Sequence, residues 1–551
     1  MHILGICLFK VKDSFLTEKI MSNSLKDLVI SFLERNRGLV VLLFCLPASL
    51  IFDFVLSLYV KFQKQLLGSP MKHDERVRAI QKSVNRYKQQ PTEGRKLLCT
   101  ARPNWLSLST KFFPKNQYHQ INVNLFDILE FDEVNLTVRV EPMVTVGEIT
   151  NYLIPKGYTL AVTLEVTDAT LGGLAMGTGM STHSHLVGLY QETVVSYEVV
   201  LGDGSLVTAS KDVNADLYYC LPWSHGSLGF LVALTLKLIK VKPYVKITYT
   251  PYKGQKSYCD MIRLLSGDSE PDYHVPAFVE ATIFSKNEAV IMTGEFSDKD
   301  KNLPVNHLTR WYKPWFYKYV ESFLSTGKHT ELVPLREYLL RHNRSIFWVM
   351  ESMIPFGNNP FFRWFLGWLL PPKPAFLKFT TTPGIRAFTF TRQVFQDIVL
   401  PIRKLEEQIK QSNKLFKAYP LLVYPCRVYK HGPNSGQIRN PKDEYLVEGK
   451  NYAMYNDLGI YGVPGYVKKN QNYNPVTAMR NMEKFTRNVG GFSFLYADIF
   501  MNRKEFEEMF DLTSYEVVRK KYHAEGNFPH LYDKVKPEID VFKVAEEYEI
   551  K

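Results

Sequence analysis

Between Leu39 and Val60 the chain runs for 22 residues with one charge, Asp53, and one proline, Pro47. About 20 apolar residues suffice to cross the hydrocarbon of a bilayer. A buried helix of a soluble domain would show a polar face, and this run has almost none, so a membrane-spanning or deeply embedded anchor is expected. Pro47 removes a helical hydrogen bond, a kink that a membrane segment tolerates better than an exposed one. A cleaved signal peptide fits less well, because the run starts late and lacks a small-residue cleavage site. Flanking charges orient it weakly: Lys26, Arg35 and Arg37 balance Lys61, Lys64 and Lys72. A wider window adds Arg76 and Arg78 against Lys19 alone, which tips the expectation towards a cytosolic body.

The formal charge of +13 raises the question of nucleic acid. Yet residues 61–111 alone hold twelve Lys or Arg against Asp74, Glu75 and Glu93. Basic charge beside an apolar stretch suits an anionic membrane surface, and no nucleic-acid partner is expected. Six scattered cysteines without a C-x-x-C pair argue against a disulfide scaffold, and no spacing suits a metal. At 551 residues the chain exceeds what one core holds. Past the anchor, Arg76 to Lys88 reads as a helix stopped by Pro91–Gly94, while 118–125, 136–140 and 158–164 read as strands. Thr145-Val-Gly-Glu148 is a capping box. Gly202-Asp-Gly204 turns a hairpin between 193–201 and 205–209. The fold class expected is α+β with antiparallel pairing.

The segment from Thr170 to His185 concentrates Gly172, Gly173, Gly177 and Gly179 with the hydroxyls of Thr170, Thr178, Ser181, Thr182 and Ser184. Glycines let successive backbone N–H groups converge on an anion, and hydroxyls add donors. A merely flexible loop would seldom interleave Leu171, Leu174, Met176 and Met180, which favour burial. The order is not G-x-G-x-x-G opening a helix, so a Rossmann site is disfavoured and another phosphate-bearing cofactor is expected.

This run, followed by Tyr197-Glu-Val-Val-Leu-Gly-Asp-Gly204 and Pro222-Trp-Ser-His-Gly-Ser-Leu-Gly229, resembles flavoproteins with the vanillyl-alcohol-oxidase (PCMH) type of FAD domain. More specific strings resemble the delta(24)-sterol reductases: Cys99-Thr-Ala-Arg-Pro-Asn-Trp105, Tyr312-Lys-Pro-Trp-Phe316, Ile354 to Pro360, and Tyr496-Ala-Asp498 through Arg503. That likeness covers nearly the whole chain after about residue 36. It implies a single-pass enzyme of the endoplasmic-reticulum membrane, its catalytic body in the cytosol, which reduces a sterol side-chain double bond with FAD and NADPH. The domains then read as 1–60 with the anchor at 39–60, an FAD-binding domain at 61–244, and an α+β substrate domain at 245–551 whose C-terminal segment returns to the flavin. The resemblance places Thr170 to Thr182, with Ser184 and His185, around the FAD pyrophosphate. It puts Arg102 and Trp105 in a first contacting loop, and Trp223, Gly226 and Gly229 in a closing loop. Arg102-Pro-Asn-Trp105 stands where covalent members carry a glycine-rich loop ending in a flavin-bonding histidine, so FAD is expected to be non-covalent. Partners implied are a membrane sterol and the bilayer, with a second copy or other sterol-pathway enzymes left open.

From about Val245 the composition shifts, and Trp311, Trp315, Trp348, Trp364 and Trp368 account for five of the seven tryptophans. Phe356 to Pro371 is too short and broken to span, and reads as a segment lying in the membrane interface beside a sterol pocket. Arg519-Lys-Lys521, Glu507 and Glu508 read as solvated helix faces. An isolated alkene has no carbonyl to stabilise a carbanion, so reduction needs a positioned acid and an apolar wall. Tyr496 and Asp498, framed by Phe492, Phe494 and Phe500, are the candidate acids. An oxidase or dehydrogenase of a sugar lactone or alcohol on the same fold, and a non-enzymatic membrane-tethered scaffold, are the alternatives.

Overall fold

Pro47 decides how the N-terminal helix is built. The helix runs through Arg37–Val40, widens to a π-turn at Val41–Cys45, and continues as α1 (Leu46–Leu67). The wide turn accommodates the ring and the missing N–H of the proline that follows it. The computed structural model describes residues 36–269, 273–536, 540 and 543, so Lys19, Lys26 and Arg35 lie outside the described residues. α2 (His73–Lys88) buries Val77, Ile80, Val84 and Tyr87 at helical spacing, as its pattern predicts.

The first domain carries a parallel pair, β1 (Leu98–Thr100) and β2 (His119–Ile121), beside an antiparallel sheet. That sheet comprises β3 (Ile128–Asp132), β4 (Thr137–Val140), β5 (Tyr158–Leu160), β6 (Val194–Val200), β7 (Leu206–Ser210) and β8 (Phe230–Lys240). Their order is β3-β4-β8-β6-β7, with β5 also on β8. The strand expected over 118–125 shrinks to three residues, because only β1 is there to pair it. The capping box forms as read: Thr145 accepts from the N–H of Glu148 and Glu148 accepts from that of Thr145, opening α3 (Val146–Leu153). The segment expected as a loop after Thr170 begins instead with a seven-residue helix, α4 (Leu171–Gly177).

The second sheet comprises β9 (Tyr244–Lys253), β10 (Phe278–Ser285), β11 (Glu288–Ser297), β12 (His329–Pro334), β13 (Val394–Pro401), β14 (Leu421–Tyr429), β15 (Tyr452–Gly462) and β16 (Phe492–Ser493). Its order is β12-β9-β11-β10-β14-β15-β13-β16, antiparallel throughout. Among the helices that accompany it are α5 (Gln255–Ser266), α6 (Pro360–Leu366), α7 (Pro374–Phe379), α8 (Pro383–Arg392), α9 (Leu405–Leu415), α10 (Pro475–Val489) and α11 (Thr513–Lys521). Alternation splits the sheet. Ile398, Val423, Leu458 and Ile460 pack with α5, α9 and α10. Val399 and Tyr424, aligned with Asp457, join the core of the first domain instead. The face turned to the first domain therefore carries Asp397, Asp457 and Tyr461. The C-terminal segment returns there as well: Trp223 lies parallel to Phe494 with centroids 5.6 Å apart. Arg519, expected in solvent, is buried and donates to the carbonyls of Ser227, Phe528 and Pro529, tying α11 to the first domain.

Candidate active site

The glycines of the Thr170 segment do different jobs. A Cβ on Gly172 would meet Pro142 Cβ at 2.4 Å, and one on Gly229 would meet Val199 Cγ1 at 2.4 Å, so both are packing glycines. Gly173 backs onto Thr170 Oγ1. Gly177 is open: its Cβ would point at the His225 ring from 3.5 Å. Left-handed backbone falls on Thr178 (φ 67°), Trp223 (66°), His225 (50°) and Gly226 (72°), and not on Gly177 or Gly179, which the sequence singles out. A β-branched residue held at such a φ stores on the order of 1–3 kcal/mol, strain that typically gathers where backbone serves a ligand. The two strained loops are joined, with the N–H of His225 donating to Met176 O at 2.9 Å. Thr178 Oγ1 and Trp223 Nε1 share Gln191 Oε1.

Around this junction cationic side chains gather with few carboxylates to match them among the described residues. Lys115 Nζ donates to the carbonyl oxygens of Thr100 (2.8 Å) and Arg102 (2.5 Å). Burial, with Arg102 nearby, pushes the Lys115 ammonium down to about 8. Burial and Lys115 push Lys534 down to about 8 as well, and Lys534 Nζ lies 3.7 Å from the Cβ position of Gly226. Burial lowers the Arg102 guanidinium to about 10, and its Nε is buried without a partner. Burial, Lys534 and Lys111 push His225 down to about 3, so its ring is neutral, and its buried Nε2 also lacks a partner. Desolvated like charges raise the free energy of the apo protein, and an anion between them relieves it. A pyrophosphate fits these residues. Sequence reasoning reached Arg102 and Gly226 but missed Lys111, Lys115, His225 and Lys534. Lys111-Phe-Phe-Pro-Lys115, two lysines enclosing apolar residues, was the available signal.

Several residues expected around the cofactor are engaged elsewhere. Trp105 packs edge-on against Phe52 of α1 and Phe379 of α7. Thr182 bonds the Tyr338 hydroxyl at 3.2 Å, His183 Nδ1 the Ala277 carbonyl at 2.6 Å, and His185 Nε2 the Pro276 carbonyl at 2.7 Å. Ser184 Oγ accepts from the N–H of Ser181. This stretch fastens the two domains together, and burial holds His185 down to about 3 and therefore neutral. Leu171, Leu174, Ala175, Met176 and Met180 are core residues.

Across the domain interface, Asp498 proves unsuited to be an acid. Arg386 grips it through two nitrogens at 2.5 and 2.9 Å, and Lys111 lies 3.9 Å away. Against the opposing effect of burial, these cations hold its carboxyl below the usual range, hence ionised. Arg386→Met should strand a buried carboxylate and lower stability by about 3–5 kcal/mol. A shift of the urea midpoint, largely reversed on adding Asp498→Asn, is the expected result. Tyr496 is placed differently. Its ring stacks on Phe494 at 5.3 Å and its hydroxyl lies close enough to Asp397 to feel its charge. Tyr461 donates to the same Asp397 carboxylate. Asp397 is pushed up to about 6 by burial, and Asp457 further still by burial, Asp397 and Glu165. Carboxyl groups crowded in this way hold a proton at neutral pH. The segment from Phe494 to Asp498 thus links the cation cluster, through Lys111 and Thr110, to the carboxyl pair, through Tyr496.

Residues 93–210 match the family described as FAD binding domain, which contains Arg102, Lys111, Lys115 and the whole Thr170 segment. The chain is 40% identical to the delta(24)-sterol reductase of Homo sapiens over 505 residues, 91% of this chain and 94% of that protein. It is 38% identical to a delta(24)-sterol reductase homologue of Caenorhabditis elegans, over 91% and 94% of the two chains. It is 35% identical to the delta(24)-sterol reductase of Arabidopsis thaliana, over 92% of each. The chain belongs to the delta(24)-sterol reductase family and is an FAD-dependent oxidoreductase.

Proposed function

We propose that the chain reduces the side-chain delta-24 double bond of a sterol drawn from the membrane, with NADPH as the electron source and FAD held non-covalently. The observation that carries this reading is one continuous path from partly desolvated cations suited to a pyrophosphate, through residues 494–498, to carboxyls that hold a proton. FAD, when bound, would supply the hydride chemistry. Saturating an isolated alkene takes one proton and one hydride, and a nicotinamide donor replaces the two electrons used. The proton comes from the Asp397–Asp457 pair, since a carboxyl protonated at neutral pH is a far stronger acid than the Tyr496 phenol, which burial and Asp397 raise well above its ordinary value. Tyr496 positions Asp397 and completes, with Phe494 and Trp223, an aromatic wall that excludes water and stabilises cationic charge on carbon. Arg102, Lys115 and Lys534 would hold the pyrophosphate. The family likeness and the apolar helix support the endoplasmic-reticulum membrane with the body in the cytosol.

Detergent-solubilised protein given a side-chain-unsaturated sterol and NADPH should form the saturated sterol, read by gas chromatography. Flavin-loaded protein that yields none, yet consumes oxygen with a polar alcohol or lactone, would show an oxidase instead.

A further inference from the structure

The N-terminal helix is fixed to the body from Val41 to Asp53 and again at Lys64. Val41, Cys45, Ser49, Phe52, Asp53 and Lys64 recur at helical spacing on its inward face. Ser49 Oγ accepts from the N–H of Lys373 at 2.7 Å, and Asp53 pairs with Lys373 Nζ at 3.1 Å. Phe52 sits among Trp105, Phe376 and Phe379, and Lys64 pairs with Glu148 of α3. Its outermost points, Val41 and Lys64, lie roughly 35 Å apart at 1.5 Å per residue, with residues 57–62 exposed between the two attached ends. A bilayer's hydrocarbon is about 30 Å thick. A helix so attached could cross it only by drawing α3, the Trp105 loop and the charges of Glu148, Lys373 and Asp168, the second carboxylate paired with Lys373, in with it, which is prohibitively costly.

The outward face consists of Phe44, Ile51, Phe54, Val55, Leu58 and their neighbours, with Phe54 65% exposed. A second apolar patch adjoins it. α6 and the turn after it expose Phe361, Trp364, Phe365 and Trp368. The turn Gly367–Leu369 packs on α1, and the Phe356 ring fills the space that a Cβ on Gly38 would need. We propose that α1 and α6 lie together in the plane of one membrane leaflet, which makes the protein monotopic. Resting on the reading of the chain as a membrane enzyme, this inference replaces the crossing geometry that hydropathy alone suggests. Lipid suits the surface better than a second copy. Its aliphatic and aromatic residues are flanked by exposed Lys61 and Lys72, as anionic headgroups favour, whereas a protein interface would interleave polar groups. Indole rings on α6 suit the headgroup boundary.

The test uses the full chain with Cys7→Ser, since the other cysteines are buried. Spin labels go singly on Phe44→Cys, Val55→Cys, Leu66→Cys and Phe365→Cys, all exposed positions. In phosphatidylcholine–phosphatidylserine vesicles, power saturation should place all four at one depth, roughly 5–10 Å below the headgroups. A deepest Val55, with positions 44 and 66 separated by about 33 Å along the normal, would overturn the in-plane seat while leaving the membrane reading intact. Labels that all report water would overturn both. Labels broadened by spin–spin contact and shielded from lipid would assign the face to a second copy and overturn the seat.

Discussion

Gly177→Val should give a folded, membrane-associated and colourless protein. The substituent would point at the neutral ring of His225, which Lys534 and Lys111 flank. Nothing in the backbone forbids it, since Gly177 is not left-handed, so the effect falls on the ligand. Each charge-assisted hydrogen bond to phosphate contributes about 1.5–3 kcal/mol. Displacing two weakens FAD by about two to four orders of magnitude. Flavin absorbance of purified protein and its recovery on titration with FAD measure this directly. Two neighbours serve as controls. Gly179→Ala meets the flexible end of Leu174 at 3.2 Å and that of Leu164 at 3.9 Å, and should keep its flavin. Gly172→Ala collides with Pro142 and should lower stability by about 1–3 kcal/mol before flavin is affected. Acid precipitation of the unmutated protein should release its flavin, because His183 and His185 are bound to backbone carbonyls of the second domain.

Asp457→Asn should lower turnover by about two to four orders of magnitude with flavin content and sterol KM unchanged, the range over which a positioned acid accelerates a reaction. The proton source must be protonated, so turnover in the unmutated enzyme should be full below the pKa of the pair and fall as pH rises through it. Stability follows the same sign. Carboxyls raised in the native state bind protons more tightly than in the unfolded chain, where an aspartate titrates near about 3.9. Native stability therefore declines as pH rises from that value through about 6, where Asp397 titrates, and on through the higher range of Asp457. Asp457→Asn should flatten the upper part of this decline. A variant that keeps its rate and its pH profile would remove the pair from the reaction.

What the sequence made legible was local. The capping box at Thr145, the helix read at 76–88 and the hairpin around Gly202 are set by neighbours in the chain, and the structure has them, the helix starting one turn earlier at His73. The Thr170 segment was recognisable because glycines and hydroxyls rarely crowd together among buried residues. Its division of labour was not recognisable, since only the fold brings Pro142 against Gly172 and Tyr338 against Thr182. Lys534 lies far along the chain from Lys115, and no motif joins them. Asp397 and Asp457 are single acids inside apolar strands, where a period of two gives the face but not its neighbours. Asp53 looked like an exception in an apolar run. Its partner, Lys373, shows it to be an attachment point.

Anaerobic single turnover tests the central claim most directly. Enzyme reduced with NADPH, freed of excess nucleotide and mixed with one equivalent of unsaturated sterol should regain the oxidised-flavin spectrum in step with formation of the saturated product, and Asp457→Asn should slow both together. Product formed while the flavin stays reduced, or equal rates in the two proteins, would contradict it.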